Sequence, residues 1–320
     1  MRDNIYIRSY VSFIPEKRIS VDEIFAQLSD DATDGSSLTR FKADSHTESV
    51  AVFDTDPELG TALMRAAGEA LEKADTAPED ISYIIFGNEH IAYTDLCSPV
   101  HTVRSELNLT RARILPVMHP CAAFLSALDL ADKLLCGEEN GNILYLSGCR
   151  WKSFGERYIS FAMRGDGVGA AVISNTSGEF AVKGTNVMNL SNSLHDICGN
   201  KKTDEKISRF NLIVKGAAFL KESLGKFGVS AEDIVRVIQP NAGFTVYNEL
   251  YPHFSGVGKE KFFFDNLADG GHICDIDIFR NLKSFTEAGT LKSGDRLVLY
   301  TPDIELSYDV NYYSALIEKT

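Results

Sequence analysis

Pro78-Glu79-Asp80-Ile81, running on to Ile84-Ile85-Phe86-Gly87-Asn88, returns later in the chain as Ala231-Glu232-Asp233-Ile234, running on to Val237-Ile238-Gln239-Pro240-Asn241. The two stretches stand 153 positions apart (Ile81 against Ile234), and identical residues recur at that offset in and just ahead of them, among them Leu71/Leu224, Lys73/Lys226 and Ile85/Ile238. The same offset holds upstream, where residues 66–74 face residues 219–227. Each copy reads as an amphipathic helix with apolar residues at three-to-four spacing, a short Glu-Asp turn, and a buried β-branched strand such as residues 81–86.

The next unit repeats as well. Residues 121–135 predict a helix, 137–142 a turn and 143–147 a strand; residues 277–288, 289–295 and 296–301 repeat that order, with Ile143 against Leu297. Helix followed by buried strand is half of a parallel α/β unit, so tandem copies predict a duplicated, layered α/β fold. The halves are expected over residues 1–174 and 175–320. No Pro/Gly-rich linker parts them, so they should share one core. Residues 189–208 are the least regular and read as a surface loop or lid.

Composition narrows the function. The chain has 320 residues with 44% hydrophobic and 24% charged, an ordinary balance for a globular protein. Its formal net charge of −13 argues against nucleic acid, which needs a dense basic face. No apolar run is long enough for a membrane span, and Met1-Arg2-Asp3-Asn4-Ile5-Tyr6 lacks a signal-peptide core; the expected compartment is the cytoplasm. The six cysteines form no Cys-x-x-Cys pair and no zinc spacing, so free thiols are expected and no metal.

Cys121 follows His119-Pro120 and opens a strong helix, with small residues Ala122-Ala123 after it. A helix N-terminus favours the thiolate and offers N–H groups to an oxyanion. Adding the repeat offset to Cys121 leads to Asp269-Gly270-Gly271-His272-Ile273-Cys274-Asp275, at the start of the matching helix. A cysteine and a histidine at two pseudo-symmetric helix starts would face one cleft, and a Cys activated by a His base is a known scheme.

Three further motifs point the same way. Met163-Arg164-Gly165-Asp166-Gly167-Val168-Gly169-Ala170-Ala171, His119-Pro120-Cys121-Ala122-Ala123-Phe124 and Pro78-Glu79-Asp80-Ile81 resemble, in order, the glycine-rich strand entry, the active-site helix start and the first-half signature of ketoacyl-ACP synthase III. Ser314-Ala315-Leu316-Ile317 matches the last strand of that family. The resemblance spans nearly the whole chain. It implies the five-layered αβαβα thiolase fold, a homodimer, and an acyl group carried on Cys121 as a thioester, with no cofactor beyond the acyl-CoA or acyl-carrier thioester that is the substrate.

The departures bear on function. The family decarboxylates a malonyl thioester with a His in Pro-His-Gln-Ala-Asn and an Asn in Asn-Thr-Ser-Ala. Here the first motif reads Ile238-Gln239-Pro240-Asn241, with Gln239 or Pro240 at the His position, and His272 stands at the Asn position. The C-terminal glycine loop is replaced by Thr301-Pro302-Asp303-Ile304-Glu305-Leu306-Ser307-Tyr308-Asp309. What remains fits a triad: Cys121 as nucleophile, His272 as base, and Asp303 or Asp309 orienting the imidazole. His90 and Phe124 are expected to line the pocket, and Arg150-Trp151-Lys152 to grip an adenine nucleotide or its phosphates. Residues 243–254 carry no Lys or Arg where the family docks acidic carrier protein. The reading is an acyltransferase of specialised metabolism with a small-molecule acceptor. A carbon–carbon condensing enzyme and a non-catalytic subunit of a heteromeric ketosynthase are the alternatives.

Overall fold

Side chains of a buried strand point alternately to two faces, and the strand Ile81–Gly87 shows how this builds layers. Ile84 and Phe86 enter one apolar core, while Ile85 enters another. The computed structural model describes residues 5–29, 33, 35–87, 93–119, 121–191, 205–304 and 309–320, and of residues 93–98, 191, 205–212, 304 and 309 the backbone alone. Its principal strands are β1 (Ile5–Phe13), β2 (Ile81–Gly87), β3 (Arg113–Val117), β4 (Asn142–Cys149), β5 (Gly167–Ser174), β6 (Phe180–Ser191), β7 (Arg236–Ile238), β8 (Arg296–Ile304) and β9 (Asp309–Lys319). The principal helices are α1 (Asp56–Lys73), α2 (Tyr93–Glu106), α3 (Ala123–Leu134), α4 (Glu205–Phe227) and α5 (Ile276–Glu287).

The strands form one nine-stranded sheet in the order β7-β8-β9-β6-β1-β5-β4-β2-β3. Its two flanks meet where β1 and β6 pair antiparallel over only Ile5↔Val182, Tyr6↔Ala181 and Ile7↔Phe180. The cores define five layers. Leu144, Leu146, Ala170 and Val172 of the first flank pack on Leu59, Leu63, Ala66 and Ala70 of α1 and on Val100 and Val103 of α2. The opposite face of that flank, with Ile85, Ile143, Tyr145 and Ile173, meets α3 and α5; on their far side lie Leu297, Leu299, Tyr313 and Ile317 of the second flank. The outer face of the second flank, with Val298, Tyr300, Tyr312 and Leu316, is covered by Phe219, Leu220 and Leu224 of α4. This is the mixed α/β thiolase fold with its expected αβαβα layering.

Local sequence explains the elements. In α1, Thr55 accepts the Glu58 N–H as N-cap, Pro57 lies in the first turn, Asp56 and Glu58 face the positive end and Lys73 the negative end. α3 and α5 are sandwiched between the flanks and bury residues on most of their circumference. α5 nonetheless buries Asp277 and Asn281, both at 0% exposure. Buried polar groups of that kind are rare unless paired.

Some boundaries differ from the sequence expectation. The helix expected from residue 121 begins at Ala123, and Cys121 lies in the turn before it. Of residues 189–208, expected as a loop, β6 takes up those to Ser191 and α4 those from Glu205; residues 192–204 lie outside the described residues. The second-copy strand β7 has only three residues, and Val237 bridges to Phe262 on its other side. Among the described residues, no helix is long and apolar enough to cross a membrane, and no group of three His, Cys, Asp or Glu side chains is arranged to hold a metal.

Asp166, in the Gly165-Asp166-Gly167 motif, is wholly buried and fully hydrogen-bonded. Arg157 donates to its two oxygens at 2.8 and 3.0 Å, and the N–H groups of Trp151 and Phe53 donate at 2.9 Å each. Removing one partner of a buried pair leaves the other charge uncompensated. Arg157→Met should therefore cost about 3–5 kcal/mol in urea unfolding; a loss under about 1 kcal/mol, the scale of a surface pair, would contradict this.

Candidate active site

The two central helices bring Cys121 and His272 together. Phe124 of α3 packs on Phe279 of α5 with ring centres 4.4 Å apart. Just ahead of the two helices, Cys121 Sγ lies 3.4 Å from His272 Nε2. His272 is 3% exposed, and Cys121 is half-buried.

The histidine is held from several sides. Its N–H donates to the Met163 carbonyl at 2.8 Å, and its carbonyl accepts from Gly165 N–H at 2.9 Å. This close approach requires glycines: a Cβ on Gly165 would strike the Gly270 carbonyl, and Gly271 adopts φ +77° against the Met163 carbonyl. Asp269, just upstream, receives a two-pronged hydrogen bond from Arg18 and a third from Ser49 at 2.9 Å. Hydrogen bonding from Arg18 lowers the Asp269 carboxyl to about 2. A lowered carboxyl contributes its stabilisation above the unfolded value and loses it as pH falls toward 2, so this clasp is intact wherever the site works.

The carboxylate that orients His272 is Asp277, in the first turn of α5. Its Oδ2 lies 2.6 Å from His272 Nδ1. Asp277 also accepts from Ile273 N–H at 3.0 Å, Asn241 N–H at 2.8 Å and Asn241 Nδ2 at 3.2 Å. Asn281 donates to Asn241 Oδ1 at 2.9 Å and to the Gln239 carbonyl at 2.8 Å, fixing the amide in turn. A carboxylate on Nδ1 holds the proton there and turns the lone pair of Nε2 to the thiol.

This corrects the expectation that Asp303 or Asp309 orients the imidazole. Asp303 enters the site from β8, where its Oδ1 accepts the N–H of Cys121 at 3.4 Å. Asp309 opens β9, and its side chain lies outside the described residues. Of Gln239 and Pro240, the two residues at the place of the family's His, Gln239 turns away, its amide bonding the carbonyl and N–H of Phe263, and Pro240 has no side-chain donor. His119 stays beside the turn, its Nδ1 2.7 Å from Ser126 Oγ and 3.2 Å from the Tyr313 hydroxyl.

The expected nucleotide grip does not assemble. Arg150 is committed to Asp56 and to the carbonyls of Phe53 and Asp54. Trp151 is buried, with the Arg164 guanidinium 4.2 Å from its ring centre. Of the three residues only Lys152 is exposed. Phe124 is a core residue between Tyr145 and Phe279 and lines no open pocket. His90 lies outside the described residues.

Sequence reasoning missed Asp277, Asn241 and Asn281. Asp277 is visible in the sequence as an acidic residue in the first turn of a helix, which macrodipole and capping arguments explain without function. The usable signal is burial: Asp277 and Asn281 lie on a helix that the repeat assigns to the central layer.

With this geometry established, comparison places the chain. It is 25% identical over 242 residues to the β-ketoacyl-ACP synthase III of Aquifex aeolicus, covering 73% of this chain and 77% of that one. It is 22% identical over 317 residues, 92% of each chain, to the Campylobacter jejuni protein of the same name. The chain is a divergent, thiolase-like relative of ketoacyl-ACP synthase III. No family model matches it. Among solved structures, this synthase III relative superposes on the acyltransferase ChlB3 with TM-score 0.81 at 17% identity, covering 99% of this chain and 98% of that one. The Aquifex aeolicus synthase III structure gives 0.76 at 18% identity, covering 98% and 99%. This relative is an enzyme of the acyltransferase type.

If Asp277 fixes the tautomer, Asp277→Asn presents an amide to Nδ1 and turns Nε2–H toward the sulfur. Alkylation of Cys121 by iodoacetamide, followed by peptide mass because Cys136 is also exposed, should slow about tenfold or more at neutral pH. An unchanged rate would show that Asp277 does not act through His272.

Proposed function

We propose that this protein accepts an acyl group on Cys121 from an acyl-CoA or acyl-carrier-protein thioester and passes it to a hydroxyl, amine or carbon nucleophile of a second substrate in specialised-metabolite biosynthesis. The observation that carries this reading is the Cys121–His272–Asp277 alignment, with 3.4 Å from Sγ to Nε2 and 2.6 Å from Nδ1 to the carboxylate. The order of groups is that of a nucleophile, a base and an orienting carboxylate.

In the loading step His272 takes the Cys121 proton. The sulfur bonds to the thioester carbonyl carbon, the donor's carbon–sulfur bond breaks, and the proton goes to the leaving thiolate. In the second step His272 takes the proton of the acceptor, whose nucleophilic atom bonds to the carbonyl carbon. The Cys121–acyl bond breaks and the thiol regains its proton. His272 thus serves both steps without net change.

The fate of Gln239 favours this reading over decarboxylative condensation. A decarboxylating pair needs two side-chain donors at a developing enolate; at the place of the family's His the Gln239 amide is spent on Phe263 and Pro240 offers no donor, leaving His272. The buried carboxylates Asp277 and Asp303 also disfavour a malonyl carboxylate beside Cys121. We place the protein as a homodimer on its family resemblance alone.

Intact-protein mass after incubation with short, medium and aromatic acyl-CoAs tests the proposal directly. The wild type should gain the mass of one acyl group, and Cys121→Ala should gain none. Equal labelling of both proteins, or full turnover by Cys121→Ala, would refute it. Labelling only by acyl-carrier proteins would assign the donor to that class.

A further inference from the structure

Two side chains on one face of β8 hold the two sides of the nucleophile's own residue. Thr301 and Asp303 are two apart and so share a face. The Thr301 hydroxyl donates to the Cys121 carbonyl at 3.0 Å, and Asp303 Oδ1 accepts the Cys121 N–H at 3.4 Å. Asp303 is 2% exposed. The strand is itself fixed by full antiparallel pairing with β9, including Thr301↔Tyr313 and Asp303↔Asn311.

The N–H that Asp303 occupies has a chemical task. When a thioester carbonyl is attacked, its oxygen takes up the electron pair, and the nucleophile's own backbone N–H is a donor placed to receive it. A carboxylate and a developing oxyanion cannot share that donor, because like charges at contact repel strongly. The 3.4 Å length is longer than the usual ~2.9–3.0 Å, a bond that can be given up.

We propose that Asp303 is a displaceable stopper on the oxyanion donor of Cys121, which makes acylation depend on a donor that binds well enough to move it. This rests on the reading of Cys121 as the acyl carrier. A small thioester that offers no binding energy beyond its carbonyl leaves the stopper in place. The intended donor spends binding energy from its remote part to displace the carboxylate. Asp303 thereby determines specificity, protecting a reactive thiol against adventitious thioesters.

The test compares two probes on the full-length protein, both read at Cys121 by peptide mass. Iodoacetamide develops no oxyanion and reports thiolate supply; S-phenyl thioacetate needs the oxyanion donor. The ratio of acylation to alkylation rates should rise about tenfold or more in both Asp303→Ala and Asp303→Asn. Asp303→Asn keeps the side-chain volume, so a folding defect in Asp303→Ala does not decide the result. If the wild type acylates and both ratios stay at its value, the stopper is overturned and the acyl-carrier reading stands. If Cys121 alkylates and neither wild type nor variants ever acquire an acyl group, the acyl-carrier reading fails and takes this inference with it.

Discussion

The Tyr145 and Ser147 hydroxyls of β4 both donate to the carboxylate of Asp275, at the head of α5. This contact ties the first flank of the sheet to the helix that carries the second half of the site. Asp275 is 1% exposed, so its charge must be met inside the protein. Burial, reinforced by the Asp275 charge, pushes the Tyr145 phenol well above its ordinary value, which keeps it a donor at any working pH. The room for Tyr145 exists because residue 87 is glycine; a Cβ there would overlap the Tyr145 hydroxyl and Ala123. Residues of β2, β4 and the head of α5 thus set the register between α3 and α5. The Cys121–His272 distance follows from that register.

Around this tie the site is a problem of buried negative charge. Asp275, Asp277 and Asp303 are each almost fully buried. Asp277 is met by two backbone N–H groups, the Asn241 amide and His272; Asp275 is met by hydroxyls, and Asp303 reaches the nucleophile's N–H. The partners named here are neutral dipoles except for the imidazole. His272 must hold a proton after taking it from a thiol or an acceptor, and the Asp277 carboxylate already stands at Nδ1, so no rearrangement is needed at the moment of reaction.

Much of this is legible in the sequence because duplication leaves a readable trace. The 153-residue offset places Cys121 and the segment holding His272 at matching helix starts, and α3 and α5 begin at Ala123 and Ile276, the same offset apart. The carboxylate partner is not legible. Asp303 stands in a segment without the family's glycines and draws the eye for that reason, whereas Asp277 looks like an ordinary first-turn acid. Which of them touches Nδ1 depends on the backbone path through Gly270, Gly271 and the positive-φ Cys274, and no local pattern encodes that path. The Arg150-Trp151-Lys152 reading fails for a related reason. An Arg beside a Trp suggests a ligand grip, but the buried Asp166 draws the Trp151 backbone inward and Asp56 captures the guanidinium.

Cys121, His272 and Asp277 are held to act as one unit, and everything proposed for the site follows from that. A double-variant cycle on the rate of Cys121 acylation tests it most directly, using His272→Ala, Asp277→Ala and the two combined. Groups that act only through one another are non-additive. The combined variant should lose no more rate than His272→Ala alone. Losses that multiply, with Asp277→Ala slowing the His272→Ala protein as much as it slows the wild type, would contradict the unit.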